Sequence, residues 1–211
     1  MNKMINVIDI LKSVGGIITN SHIVGTSGKH LDAYVNKDAL YPHTQETSAV
    51  CKMMAEAVKN LNIDAVVSPA LGGIVLSQWV SYHLSEILGK EVLGIYAEKT
   101  ADKNMVFTRG YDKLVRGKNI LVVEDVANTG GSAKKTVEAV KAIGGKVVAV
   151  EVMVNRSPEL VNEQFFGVPF YSLAEFKLSA YGEVDCPMCK NGVPINTNVG
   201  HGKKYLAEKG L

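Results

Sequence analysis

Two adjacent carboxylates and a glycine pair lie close together in the segment ILVVEDVANTGGS, residues 120–132. Glu124 and Asp125 follow a buried-looking apolar run, and Thr129–Ser132 supplies two glycines flanked by hydroxyls. Carboxylates accept hydrogen bonds from sugar hydroxyls or hold Mg²⁺ through water. Glycines ahead of a helix let backbone N–H groups approach a phosphate. The segment therefore predicts a site for a phosphorylated sugar. A Gly-Gly turn alone would be an ordinary connection, and neither a Walker loop nor G-x-G-x-x-G is present.

Two more segments carry groups suited to anions. PALGG (69–73) follows the apolar run AVVS and offers backbone N–H groups in a glycine turn. Residues 98–118 contain four lysines and two arginines against three acids, with little apolar periodicity. A segment of that length inside a compact domain is usually functional or mobile. A short hairpin is predicted within it, because MVFTRGY has strand character.

The elements that must position these groups are alternating strands and helices. Continuous apolar runs of strand length occur at 65–68, 92–98, 119–123 and 146–154, separated by helical periodicity. Such strands are buried on both faces, so we predict an α/β fold whose parallel sheet is flanked by helices. Ligands bind beyond the carboxyl ends of such strands. The segments 69–73, 98–118 and 124–132 should therefore converge.

The N-terminal part is predicted to differ from this core. Met4, Val7, Ile8 and Leu11 have the spacing of a short amphipathic helix that ends at Gly15-Gly16. Short apolar runs between 17 and 38 then indicate a small strand-rich hood around Ser27-Gly28. We predict one domain, 1–211, made of the helix and hood (1–45), the α/β core (46–175) and a C-terminal tail (176–211).

Composition narrows the class of protein. The chain has 211 residues, a formal net charge of +2 and 46% hydrophobic residues. The small charge predicts no nucleic-acid or membrane partner, and no apolar run approaches the roughly 20 residues that span a bilayer. Three cysteines do not make a disulfide framework, which favours a cytoplasmic location.

Cys186 and Cys189 have the spacing of a metal knuckle or a redox pair. A zinc site needs two further ligands. The tail of a second chain in a dimer could supply them, and the alternative is a reduced structural turn. Cys51 is predicted in a helix core. The histidines show no H-E-x-x-H or similar pairing, and each is predicted to be structural: His22, His30, His43, His83 and His201.

These motifs resemble those of the type I phosphoribosyltransferases. VVEDVANTGGS resembles the family's signature for phosphoribosyl pyrophosphate (PRPP), PALGG its pyrophosphate loop, and 98–118 its flexible catalytic loop. Further likeness to the orotate branch lies in AEK…TRGY and in the segments 26–42, 154–157 and 186–195. The resemblance implies Mg²⁺-dependent transfer of phosphoribose from PRPP to orotate, giving orotidine 5′-monophosphate and pyrophosphate in pyrimidine biosynthesis. It also implies a homodimer whose loop reaches the partner's site.

Residue roles follow from the same resemblance. It implies that PRPP is bound by Glu124, Asp125, Val126, Ala127, Asn128, Thr129, Gly130, Gly131 and Ser132. It also implies that pyrophosphate is bound by Ala70, Leu71, Gly72 and Gly73. Asn128, Arg156 and Lys37 are the candidates for orotate, and Arg156 matches a carboxylate bidentately. The candidates for catalysis are Lys99, Lys103, Arg109 and Asp125.

The chain departs from the family pattern at three places. Asn128 stands where a threonine is usual, Thr26 where many relatives have a lysine, and the loop lacks the pattern R-K-E-x-K-x-H. Two alternatives follow. A purine-base phosphoribosyltransferase is favoured by Asn128 and opposed by Arg156. A catalytically inactive PRPP-binding regulator is opposed by the retained acids and basic loop.

Overall fold

The computed structural model describes residues 6–25 and 27–210. Thr26, and Met4 of the predicted N-terminal helix, therefore lie outside the described residues. The helices are α1 (Val7–Ser13), α2 (Thr44–Val58), α3 (Gly73–Leu88), α4 (Tyr111–Val115), α5 (Gly131–Ala142), α6 (Glu163–Phe166), α7 (Pro187–Lys190) and α8 (Gly202–Glu208). The strands are β1 (Ile17–Val24), β2 (His30–Val35), β3 (Ala65–Pro69), β4 (Leu93–Lys99), β5 (Met105–Val106), β6 (Asn119–Ala127), β7 (Lys146–Asn155), β8 (Phe170–Glu175) and β9 (Ala180–Tyr181). In this part of the chain, no helix combines the length and apolarity that crossing a membrane requires.

The central sheet has six strands in the order β5-β4-β3-β6-β7-β8. All neighbouring pairs are parallel except β4 and β5, which form an antiparallel hairpin. The α/β prediction is thus confirmed. The sheet is mixed only at the β5 edge. The hairpin predicted within 98–118 is present there, but of MVFTRGY only Met105-Val106 forms a strand.

Both faces of the sheet are covered, as the continuous apolar strands require. Leu121 and Val123 of β6 pack into a core shared with α1, α2 and α3. Ile120 and Val122 face the opposite core, with α4, α5 and α6. Because successive side chains of a strand point to opposite faces, one apolar run supplies both layers.

The hood is a second, antiparallel sheet in the order β1-β2-β9. The hairpin β1–β2 matches the predicted strand-rich element, but its third strand comes from the C-terminal tail. Beyond β9, the tail follows β1, where Asn196 N–H donates to the His22 carbonyl at 2.7 Å and His201 N–H to the Val24 carbonyl at 2.8 Å. The boundaries at 45 and 175 stay predictions, and the tail is structurally part of the hood.

Two element boundaries differ from the sequence analysis at the glycine segment. β6 continues to Ala127, so Glu124 and Asp125 lie within the strand rather than in the loop after it. α5 begins at Gly131 and not near Ala133. The continued pairing with β7 through Ala127 and Asn155 explains the longer strand. The connecting turn is therefore short, and the acids are held by the sheet ladder.

Candidate active site

A pocket of about 320 Å³ lies at the carboxyl edge of the sheet between β3 and β6. It is lined by Lys37, by residues 69–73 and by residues 124–132. Two of the three segments expected to converge therefore do so. The pocket also receives Lys37, which follows directly from the hood strand β2.

The two long helices that begin at the pocket have glycine caps. Gly72 precedes α3 and Gly130 precedes α5, and neither helix has a side-chain hydrogen bond at its cap. A Ser, Thr, Asp or Asn would normally satisfy one of the free N–H groups there. Two helix N-termini without such caps leave donors and positive partial charge for anions.

Both caps leave little room for a side chain. Gly130 has φ of +68°, and a Cβ there would lie 2.8 Å from the ring of Phe165. A Cβ on Gly72 would lie 2.5 Å from Lys37 Nζ and 2.6 Å from Asp125 Oδ2. The preceding Ala70–Leu71 peptide bond is cis. The backbone of the PALGG turn thus comes close to the charged groups of the pocket.

Asp125 is the buried anchor of the pocket. Its carboxylate pairs with Lys37 Nζ at 3.0 Å, accepts from Tyr41 Oη at 3.0 Å, and accepts from the Val126 N–H at 2.6 Å. Burial alone would lower the pKa of Lys37, but the charge and hydrogen bond of Asp125, together with those of Asp38, outweigh it and raise that pKa. Burial, followed by the Asp125 charge, raises the pKa of Tyr41. Both partners therefore stay protonated.

Glu124, the other acid of the pocket, has a raised pKa. Burial, and then the neighbouring charge of Asp125, raises the pKa of Glu124 to about 8. Lys37, the Ala133 N–H at the start of α5, and Lys99 act in the other direction. At neutral pH the Glu124 carboxyl of the free protein is thus largely protonated. A cation or a set of hydroxyl donors at Glu124 would favour its ionised form and release a proton.

The candidate base-binding residues lie beside the pocket. Asn128 is an exposed part of its lining. Arg156 follows β7, and its backbone N–H donates to the Ala127 carbonyl at 2.9 Å, next to Asn128. Its Nε is buried and has no hydrogen-bond partner in the structure. Burial lowers the pKa of Arg156 from its usual value. A planar carboxylate would satisfy this guanidinium.

The candidate catalytic cations of 98–118 do not line the pocket. Lys99 is exposed at the end of β4. Lys103 lies in the β4–β5 turn, where its carbonyl accepts from Lys135 Nζ at 2.6 Å. Arg109 pairs with Glu98, with 3.0 Å between Nε and Oε1. Among these three, Lys99 influences the pocket, because its charge lowers the pKa of Glu124.

Tyr41 was not among the residues singled out from the sequence. A single tyrosine in a polar turn has no spacing that indicates a partner, and its role appears only when the hood linker folds against β6. Lys37 is also a sequence-based candidate for binding the base. It lies between Asp125 and the PALGG turn of the pocket. Cys186 and Cys189 lie away from the pocket, where the tail meets the hood.

Comparisons with known proteins agree with this architecture. A model of the phosphoribosyl transferase domain matches residues 36–166. Orotate phosphoribosyltransferase of Caldanaerobacter subterraneus subsp. tengcongensis is 35% identical over 179 residues, 85% of this chain and 88% of that protein. The enzyme of the same name from Thermotoga maritima is 34% identical over 196 residues, 93% of this chain and 98% of that protein.

A solved structure shares the fold. The crystal structure of Mycobacterium tuberculosis H37Rv orotate phosphoribosyltransferase superposes with a TM-score of 0.62 at 21% identity, covering 80% of this chain and 95% of that one. At that identity the likeness concerns the fold, whereas the family model and the two bacterial relatives concern the sequence. Together they show that this chain belongs to the phosphoribosyltransferase family, in its orotate branch.

Proposed function

We propose that the protein transfers the 5-phosphoribosyl group of PRPP to orotate, with Mg²⁺, and forms orotidine 5′-monophosphate and pyrophosphate. The observation that carries the proposal is the pocket in which an acid pair faces two glycine-capped helix N-termini. PRPP is a ribose with phosphate groups at both ends. Its two anionic ends match the two N-termini, and its hydroxyls match the acids.

Each end of PRPP has a distinct position in the proposal. The 5′-phosphate binds residues 129–132 at the start of α5, and the ribose hydroxyls donate to Glu124 and Asp125. The pyrophosphate binds the Ala70–Gly73 turn beside Lys37. The position of Lys37 against Gly72 supports this assignment, because a cation there neutralises a leaving anion.

The base binds beside Asn128 and Arg156. Orotate differs from uracil by a carboxylate, and the buried, unpartnered Nε of Arg156 is a charged donor without an acceptor. An unsatisfied buried donor is costly, so a carboxylate ligand gains affinity by satisfying it. Asn128 can both donate to and accept from the ring.

In the reaction, a ring nitrogen of orotate forms a bond to C1 of the ribose and loses its proton to solvent, while the bond from C1 to pyrophosphate breaks and its electron pair leaves on the pyrophosphate oxygen. The transition state resembles an oxocarbenium ion, as at other anomeric centres. Mg²⁺, when bound with PRPP, neutralises the negative charge that develops on the leaving pyrophosphate. Lys37 and the N-terminus of α3 stabilise the same charge, and Asp125 holds Lys37 in place.

The basic segment acts in a homodimer in this proposal. Lys99, Lys103 and Arg109 are exposed and do not line the pocket of their own chain. The loop of one chain closes over the partner's pocket and excludes water. Co-expression of a K99A/K103A/R109A chain with a D125N chain tests this. If the loop acts in trans, about a quarter of the active sites in a randomly mixed dimer population combine a wild-type pocket with a wild-type loop. No recovery above the separate variants means that the loop acts within its own chain.

The function itself is tested by a spectrophotometric assay with PRPP, Mg²⁺ and orotate, beside adenine, hypoxanthine, xanthine and uracil. Orotate alone is expected to react. In an Arg156→Ala variant the KM for orotate should rise about 30- to 150-fold, because a charge-assisted pair worth about 2–3 kcal/mol is lost. Arg116→Ala, an exposed arginine after α4, is the matched control. Turnover of a purine instead, or PRPP binding without turnover, would contradict the proposal.

A further inference from the structure

Two histidines of the hood and two cysteines of the tail converge on one point. They are His22 of β1, His30 of β2, Cys186 and Cys189. Their ligand atoms, one from each residue, all lie within 4.8 Å of one another. His22, His30 and Cys186 are buried, and Cys189 is partly buried. Neither cysteine is in a disulfide.

The register of the hood hairpin explains how the two histidines meet. His30 is paired with Val24, and His22 precedes Val24 by two residues. In an antiparallel pair, a residue lies on the same face as its cross-strand partner and as the residues two positions before and after that partner. Both rings therefore point to the same side of the hood, and the tail covers that side. In this arrangement the two further ligands are histidines of the same chain, and none is needed from a second chain.

The distances match the edges of a zinc tetrahedron. Zn–N bonds of about 2.0 Å and Zn–S bonds of about 2.3 Å place N and S ligands about 3.6 Å apart. Cys186 Sγ lies 3.7 Å from His22 Nε2, and Cys189 Sγ lies 3.7 Å from His22 Nε2 and 3.3 Å from His30 Nδ1. The two ring nitrogens are 2.7 Å apart. They need to separate by only about 0.6 Å to become tetrahedral ligands.

The surrounding hydrogen bonds prepare these atoms as ligands. His22 Nδ1 lies 2.7 Å from the Val193 carbonyl. Because a carbonyl only accepts, Nδ1 carries the proton and Nε2 presents its lone pair to the cluster. Cys186 Sγ accepts from the Cys189 N–H at 3.5 Å. Both features are typical of metal ligands.

We propose that His22, His30, Cys186 and Cys189 bind one zinc ion per chain and thereby fasten the C-terminal tail to the hood. Two nitrogen and two sulfur ligands in a closed, buried set are typical of structural zinc. The cross-link joins residues 164 positions apart in sequence, His22 and Cys186. The site lies apart from the pocket and does not depend on the proposed reaction.

Between β9 and α8, the tail has few buried anchors. α7 has four residues, and none of them is buried. Cys186, its cap, is the one residue between 182 and 201 that is fully buried in the described structure. The tail's other links to β1 include backbone bonds, the contact of His22 Nδ1 with the Val193 carbonyl at 2.7 Å and the contact of Asn196 Nδ2 with Ser21 Oγ at 3.0 Å. A metal therefore supplies the stabilisation that an apolar core supplies elsewhere.

Metal content is the direct test. Protein expressed without a polyhistidine tag in zinc-supplemented medium is measured by inductively coupled plasma mass spectrometry. One zinc per chain is expected for the wild type and for the controls Cys51→Ala and His43→Asn. Less than about one-tenth is expected for Cys186→Ser, Cys189→Ser and His30→Asn, because loss of one ligand opens the site. Half a zinc per chain that persists in His30→Asn would mean a four-cysteine site between two tails and would overturn the proposal.

A second measurement uses wild-type protein, so that it does not depend on the folding of variants. After chelation, reloading with Co²⁺ should give the intense visible bands of a tetrahedral thiolate site, one equivalent per chain. Three free thiols should then be titrated in denaturant after metal removal. The proposal fails if Co²⁺ gives no such bands, or if one thiol is found because Cys186 and Cys189 have formed a disulfide.

Discussion

The pocket and the zinc cluster lie at opposite ends of the hood strand β2. Their polar groups are arranged in opposite ways, open in the pocket and closed in the cluster. β2 begins at His30 in the cluster, and the chain that leaves it reaches Lys37 in the pocket. The pocket is open, and its helix caps leave donors for a ligand to satisfy. The cluster is closed, and its ligand atoms point at one another. An open set of donors suits substrate exchange, whereas a closed set suits a permanent ion.

This difference implies that perturbing the pocket changes catalysis and that perturbing the cluster changes stability. The largest expected effect is that of Asp125→Asn, which removes the charge that holds Lys37 and Tyr41. We expect kcat/KM to fall by about 10³-fold, as when a preorganised electrostatic partner is lost. Asp38→Asn is the matched control, since exposed Asp38 is the other carboxylate near Lys37. Steady-state kinetics with PRPP measures both, and equal losses in the two variants would break the comparison.

Metal removal should lower the stability of the protein and leave its catalysis nearly unchanged. Zinc at about a hundred times its dissociation constant should raise the midpoint of thermal unfolding by about 5 to 10 °C in a domain of this size. Chelation should remove that increment, while kcat stays within about threefold because no zinc ligand touches the pocket. Scanning calorimetry and the orotate assay give the two values. A large loss of kcat with an unchanged midpoint would assign the metal to catalysis instead.

Two carboxyl groups with raised pKa values, Glu124 and Glu151, sharpen the comparison, because only Glu124 lines the pocket. Glu151 of β7 is fully buried, neither of its carboxyl oxygens has a hydrogen-bond partner, and burial raises its pKa well above the usual value. We expect Glu151→Leu to increase the free energy of unfolding by about 1 to 3 kcal/mol at pH 8.

The sign of the pH dependence follows from the raised pKa. The folded protein keeps the Glu151 proton, while the unfolded chain loses it above about pH 4.5. Wild-type stability is therefore lost as pH rises from the unfolded pKa towards the folded one, and the gain from Glu151→Leu should be larger at pH 8 than at pH 4. Urea unfolding at both values measures it. Glu151→Gln removes the titration but keeps a buried polar group, so it should abolish the pH dependence with a smaller gain. A gain independent of pH would contradict the assignment.

The smallest expected effect is a proton count at Glu124. Its pKa of about 8 means that the free protein holds most of that proton at pH 7. If the ribose hydroxyls bind the ionised carboxylate, Mg²⁺–PRPP binding should release nearly one proton at pH 7 and almost none at pH 9.5. PRPP affinity should rise with pH up to about 8 and then level off. Calorimetry in buffers of different ionisation enthalpy counts the protons. Glu124→Gln supplies the baseline, and identical counts for both proteins would exclude Glu124 as the group that titrates.

The predictability of the two sites from sequence follows from their chain geometry. Glu124 through Ser132 form one contiguous segment, so their chemistry is visible in the order of the letters. The convergence with 69–73 follows from the rule for parallel strands. Tyr41 could not be predicted, because its partner Asp125 is 84 positions away. His22 and His30 required the hairpin register, which depends on an irregularity between Thr19 and Ile23 that no local motif indicates. β9 consists of only two residues, too few for a periodic pattern.

The composition of the hood sheet has a consequence for how the protein matures on the ribosome. β1 and β2 are among the first elements synthesised, but β9, which pairs with β2, and both cysteines of the cluster follow more than 140 residues later. At about 5–20 residues per second, the early hairpin waits on the order of ten seconds for its third strand. A lone two-stranded hairpin is marginally stable in water. The hood is therefore expected to form last, after the core sheet, and zinc capture would coincide with the end of translation.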